Sequence, residues 1–144
     1  MNREAQQQAA NALEWMWIGL LLPVPLMFLM LSLIGPLGDA AASPWRDWTI
    51  AALVIGFAGA LPAYLAYMKF NALRFRAPAI DLARHEDRLL VQRRMVTGCL
   101  AAELPFVAGA IFFLMTGNST VLLMLSGVSV GMQLAFRPGS LIKT

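Results

Sequence analysis

Met95-Val96-Thr97-Gly98-Cys99-Leu100-Ala101-Ala102-Glu103-Leu104-Pro105-Phe106-Val107-Ala108-Gly109-Ala110-Ile111-Phe112-Phe113-Leu114-Met115 is the stretch that decides the fold. It is long and apolar enough to cross a bilayer, which takes ~20 such residues. Its one charged residue is Glu103. A carboxylate at bilayer depth costs about 2.5–3.5 kcal/mol on insertion scales. Glu103 must therefore be neutral, paired, or turned toward protein or water.

Working outward, the same apolar pattern recurs. A first span reads from Trp15 to Gly35, closed by Pro36. A second runs from Trp48 to Met68, and a fourth from Thr120 to Phe136, stopping before Arg137-Pro138-Gly139. Gly117-Asn118-Ser119 signals a tight turn between the third and fourth. The chain has 144 residues, 59% hydrophobic and 13% charged. Soluble domains carry about 25% charged residues. Four spans nearly exhaust the length. The expectation is one all-α integral membrane domain over residues 1–144, a four-helix transmembrane bundle.

The basic residues set an orientation. Arg3 precedes the first span; Arg74, Arg76, Arg84, Arg88, Arg93 and Arg94 fall in the loop from Lys69 to Arg94; Arg137 and Lys143 follow the fourth. Under the positive-inside rule both termini and the central loop are cytoplasmic. Trp15, Trp17, Trp45 and Trp48 sit where interfacial aromatic belts belong. Leu82, Ala83, Leu89 and Leu90 follow helical spacing opposite Arg84, Asp87, Arg88 and Gln92. The third helix is thus expected to begin near Pro78 or Asp81, and the second to project toward Arg76. The result would be a long cytoplasmic helical hairpin. Its basic surface suits solvent and lipid phosphates, or a docking partner. The charge is spread around apolar runs, which speaks against nucleic acid as a partner.

Depth counted at 1.5 Å per residue places unusual residues in one slab. Glu103 and Pro105 fall ~12–15 Å from the cytoplasmic face, Pro23 and Pro25 ~12–15 Å, Pro62 ~10 Å, and Ser126 and Ser129 ~12–16 Å. Each proline kinks its helix and frees the carbonyl four residues back. The freed carbonyls are those of Gly19, Leu21, Ala58 and Ala101. With Ser126 and Ser129 they could surround Glu103 as an ion site. Kinks, serines bonded to their own helix, and glycines that let helices approach are the purely structural account of the same residues.

No catalytic or metal-binding pattern is present. Cys99 lies within a span and reads as a packed, inert thiol, and His85 as a surface residue. No cofactor and no enzyme activity is expected. The second and third spans do resemble the hairpin of ATP synthase proteolipid (c) subunits. The matching elements are Gly56-Phe57-Ala58-Gly59-Ala60, the loop Arg76-Ala77-Pro78, and Glu103-Leu104-Pro105. That resemblance implies a carboxylate, Glu103, that binds and releases a proton or sodium ion within a ring of subunits.

Two functional expectations follow. One is a small integral subunit of a larger or homo-oligomeric membrane assembly, with no chemistry of its own. The other is a proton- or cation-handling protein centred on Glu103. The partners are the bilayer, other membrane subunits or further copies, and protons or sodium ions. Helical spans without an organelle address place it in a bacterial inner membrane, since outer-membrane proteins use barrels.

Overall fold

A computed structural model describes residues 3–75 and 80–141. Among them every regular element is helical. α1 (Arg3–Leu21) and α2 (Pro23–Ile34) form one rod, α3 (Thr49–Ala58) and α4 (Leu61–Asn71) a second, and α5 (His85–Ala102) and α6 (Leu104–Thr116) a third. α7 (Ser119–Ala135) stands alone. The three rods, Arg3–Ile34, Arg46–Phe75 and His85–Thr116, are long and apolar enough to cross a membrane, whereas Ser119–Ala135 is a shorter apolar helix.

Each rod breaks where the sequence places proline. At Leu22 the first rod yields to Pro23 and Pro25, and it resumes with Leu26 donating to the Leu22 carbonyl at 3.2 Å. The second breaks at Gly59-Ala60 before Pro62, and the third at Glu103 before Pro105. Each proline sits in the first turn of the helix it opens, where its missing N–H costs least. Gly117, at φ 68°, ends α6, and Asn118 caps α7 by accepting from Val121 N at 3.2 Å. The Asn118 amide also donates to Thr49 Oγ1 at 3.3 Å, tying this turn to the start of α3.

The rods outrun the apolar stretches. The first and third contain 32 residues each, or about 48 Å, against a hydrocarbon core of ~30 Å. The first begins at Arg3 rather than Trp15, because Ala9, Ala10 and Leu13 pack against the other elements and are buried. The third begins at His85 rather than near Pro78 or Asp81. Asp81 builds a turn instead, accepting from Ala83 N at 3.1 Å on its carboxylate and from Arg84 N at 2.9 Å on its carbonyl. Arg84 is extended, with ψ 129°, so the helix starts after it. The second helix ends at Asn71, followed by a 3-10 turn over Ala72–Phe75. Arg76, Pro78 and Lys143 lie outside the described residues. Leu82 is buried as its spacing predicts, but Leu89 is exposed.

α6 packs along α7, α4 along α5, α3 on α6, α2 on α7 and α1 on α5. One end of the bundle holds a core that includes Ala9, Leu13, Trp17, Phe70, Val91 and Phe136. Glu14 and Arg137 close that end, with Nη2 and Nε of Arg137 at 2.6 and 2.9 Å from one carboxylate oxygen. Towards the other end, Val24, Leu31, Phe106, Phe113 and Leu122 form a second core. The outer faces are apolar, with Leu33 87% and Ile50 77% exposed.

Candidate functional site

The broken rods meet unbroken α7. Phe106 follows Pro105, and its N–H donates to Ser129 Oγ at 2.9 Å. In a continuous helix that N–H would reach back to Ala102. On the first rod, Pro23 and Pro25 bring no N–H, and the amide of Gln133 donates to the Leu20 carbonyl just before them at 3.3 Å. Trp17 Nε1 returns a bond to the Gln133 carbonyl at 2.9 Å. Ser129 and Gln133 lie one turn apart on α7 and are fully buried. The second and third rods touch at their breaks: a Cβ on Gly59 would lie 3.5 Å from Leu104 Cβ. α7 thus supplies polar groups to two of the three breaks. Backbone groups freed in hydrocarbon must find such partners.

The groups expected around Glu103 have other hydrogen-bond partners among the described residues. Ser126 donates back to the Leu122 carbonyl of its own helix at 2.6 Å. Ser129 is engaged by Phe106 N. The carbonyl reached by a side chain is that of Leu20, not Gly19 or Leu21. Glu103 forms the break itself, with its N–H on Leu100 O at 3.2 Å and its carbonyl accepting from Val107 N at 3.0 Å. Its side chain is half-buried. Among the described residues no hydrogen bond or ion pair engages its carboxyl group.

Gln133 escaped the reading of the sequence. The signal was there: Ser126, Ser129 and Gln133 fall at i, i+3 and i+7, a polar stripe within an apolar helix. Cys99 is fully buried as a free thiol. Of the basic residues, Arg74, Arg84 and Arg93 are exposed. Arg84 lies 3.8 Å from Asp81, Arg88 3.3 Å from His85 Nδ1, and Arg94 donates to the Lys69 carbonyl.

The glycines divide into two sets. Gly56, Gly98 and Gly109 are filled by neighbours: an added Cβ would fall 2.4 Å from Leu125 Cδ1, 2.1 Å from Phe136 Cε1 and 3.0 Å from Leu125 Cβ respectively. Gly127 and Gly131 of α7, like Gly19 of α1, face open space, with nothing within 4 Å of an added Cβ.

These features define an all-helical protein whose rods have the length and composition of membrane spans. No family model, curated protein or solved structure matches the chain.

Proposed function

We propose that this chain is a small integral membrane subunit that associates laterally, through α7, with further copies or with another membrane protein, and has no chemistry of its own. The observation that carries the reading is the open pair Gly127 and Gly131. A glycine inside a helix costs about 1 kcal/mol relative to alanine. Gly56, Gly98 and Gly109 offset that cost by admitting a neighbour within the chain. Gly127 and Gly131 admit nothing, and their i, i+4 spacing is that of close helix–helix contacts in bilayers. α7, at 17 residues, also spans only about 26 Å, and a short helix is relieved by association.

In this reading all four helical units cross a bacterial inner membrane, with both termini and the 69–94 connection in the cytoplasm. The basic residues of that connection and the Glu14–Arg137 pair at the same end of the bundle support the orientation. Membranes dissolved in mild detergent should carry the wild-type chain in a particle larger than one copy. Gly127→Leu combined with Gly131→Leu should reduce it to a monomer of unchanged helicity on native gels. A monomeric wild type, or a double variant still assembled, would refute the reading.

A second reading has its own support. Glu103 holds a half-buried carboxyl group, without a hydrogen-bond or ion-pair partner among the described residues, at a helix break in a setting that resembles proteolipid hairpins. In this reading it binds a proton or sodium ion. A hydrophobic carbodiimide should then label Glu103 at neutral pH, and Glu103→Gln should abolish labelling without dispersing the assembly. An unlabelled Glu103, with membrane ion permeability indifferent to Glu103→Gln, rules it out.

A further inference from the structure

The outer face of α5 carries an open surface hollow of about 580 Å³, lined by side chains of that helix alone, that the bundle does not use. Glu86, Leu89, Gln92, Arg93, Val96 and Thr97 line it, together with Leu90. Its chemistry is graded along the helix. Glu86 stands at the outer end, Arg93 two turns inward, and Thr97 one turn further in, beside Val96. Below Thr97 the helix is the apolar run that enters the bilayer. Glu86, Arg93 and Thr97 are exposed, and among the described residues none makes a hydrogen bond or ion pair through its side chain. The nearby Arg84, Arg88 and Arg94, by contrast, are each engaged within the chain.

We infer that this hollow binds one phospholipid with a primary-amine headgroup, such as phosphatidylethanolamine, in the cytoplasmic leaflet. The order of groups along α5 is the order of groups along such a lipid: ammonium, phosphate, glycerol ester, acyl chain. Arg93 presents a planar guanidinium to the phosphate. A helical side chain covers the turn N-terminal to its own Cα. Glu86 leans the same way, so the two charged ends stay about two turns, ~10 Å, apart along the helix, and one phosphoethanolamine group lies between them. Glu86 then accepts hydrogen bonds from the ammonium, and Thr97 donates to an ester carbonyl. Val96, beside Thr97, lies at the level where the acyl chains begin. One acid and one base in the same hollow favour a zwitterion. An anionic phosphatidylglycerol would meet Glu86 without a cation to offer it. A quaternary phosphatidylcholine offers charge but no N–H.

The inference needs the chain to insert in a membrane but not to assemble, so its failure and that of the subunit reading separate. Purified full-length protein, stripped of lipid in detergent, is offered phosphatidylethanolamine, phosphatidylglycerol and phosphatidylcholine at equal concentration. Retained lipid is counted by native mass spectrometry. Wild type should retain phosphatidylethanolamine at least about fivefold over the other two. Arg93→Gln should lose that adduct. Glu86→Gln should keep a lipid but level the preference. Both positions are exposed, and helicity measured by circular dichroism confirms that each variant is folded. Equal retention of the three lipids by wild type, an unaffected Arg93→Gln, or a preserved preference in Glu86→Gln would each overturn the assignment.

Discussion

Phe136→Ala is expected to destabilise the bundle by about 3–5 kcal/mol, the usual cost of emptying a buried aromatic site. Phe136 follows α7 and is fully buried. Its ring meets Phe70 edge-on at 5.5 Å and Tyr67 at 6.0 Å, joining the last helix to α4. It reaches α5 through Gly98, where a Cβ would lie 2.1 Å from the ring. The cavity left by alanine would be walled by several elements and could not close by moving one side chain. Gly98→Ala tests the same contact from the other side, and overpacking there should cost about 1–3 kcal/mol. Reversible unfolding in mixed micelles, titrated with a denaturing detergent, reads both values. An unchanged midpoint for Phe136→Ala would remove this wedge from the account.

The second large effect is expected at Ser129. Ser129→Ala adds no atoms to this fully buried site and removes the acceptor that serves Phe106 N. The N–H would then be buried in an apolar setting without a partner, at a cost of about 1–3 kcal/mol. Interhelical bonds in membranes average only ~0.6 kcal/mol when both states find partners. The larger figure applies because the backbone donor cannot be moved away. The pair Ser129→Ala and Pro105→Ala should be non-additive. Alanine at 105 lets the rod run straight, and Phe106 N can then return to Ala102 O. In that background Ser129→Ala should cost less than half as much. Equal costs in the two backgrounds would show that the break and the hydroxyl are independent.

The same contacts show what the sequence made legible. Span positions and the three breaks were readable because hydropathy and proline act locally. The start of the first rod was not. Arg3 to Glu14 looks solvated by composition, and only its packing through Ala9, Ala10 and Leu13 reveals a helix with a buried face. The start of α5 turned on Asp81, whose carboxylate holds a turn where helical periodicity alone suggested a helix. Depth along an axis follows from counting residues. Rotation about the axis is set by packing, which no count of residues supplies. Ser126 and Ser129 lie at similar depth, yet one bonds its own helix and the other a neighbour's backbone. Gln133 was passed over for the same reason: its value depends on facing the first rod.

The central claim is that α7 spends its polar face on the breaks of its neighbours and keeps its glycine face for another protein. A thiol-linked photo-crosslinker placed at Gly131→Cys, with Cys99 replaced by alanine, tests it in native membranes. Ile50→Cys, on the exposed face of α3, serves as the reference. The account predicts an adduct of one discrete protein mass from position 131 and only lipid adducts from position 50. Lipid adducts alone from both positions would contradict it.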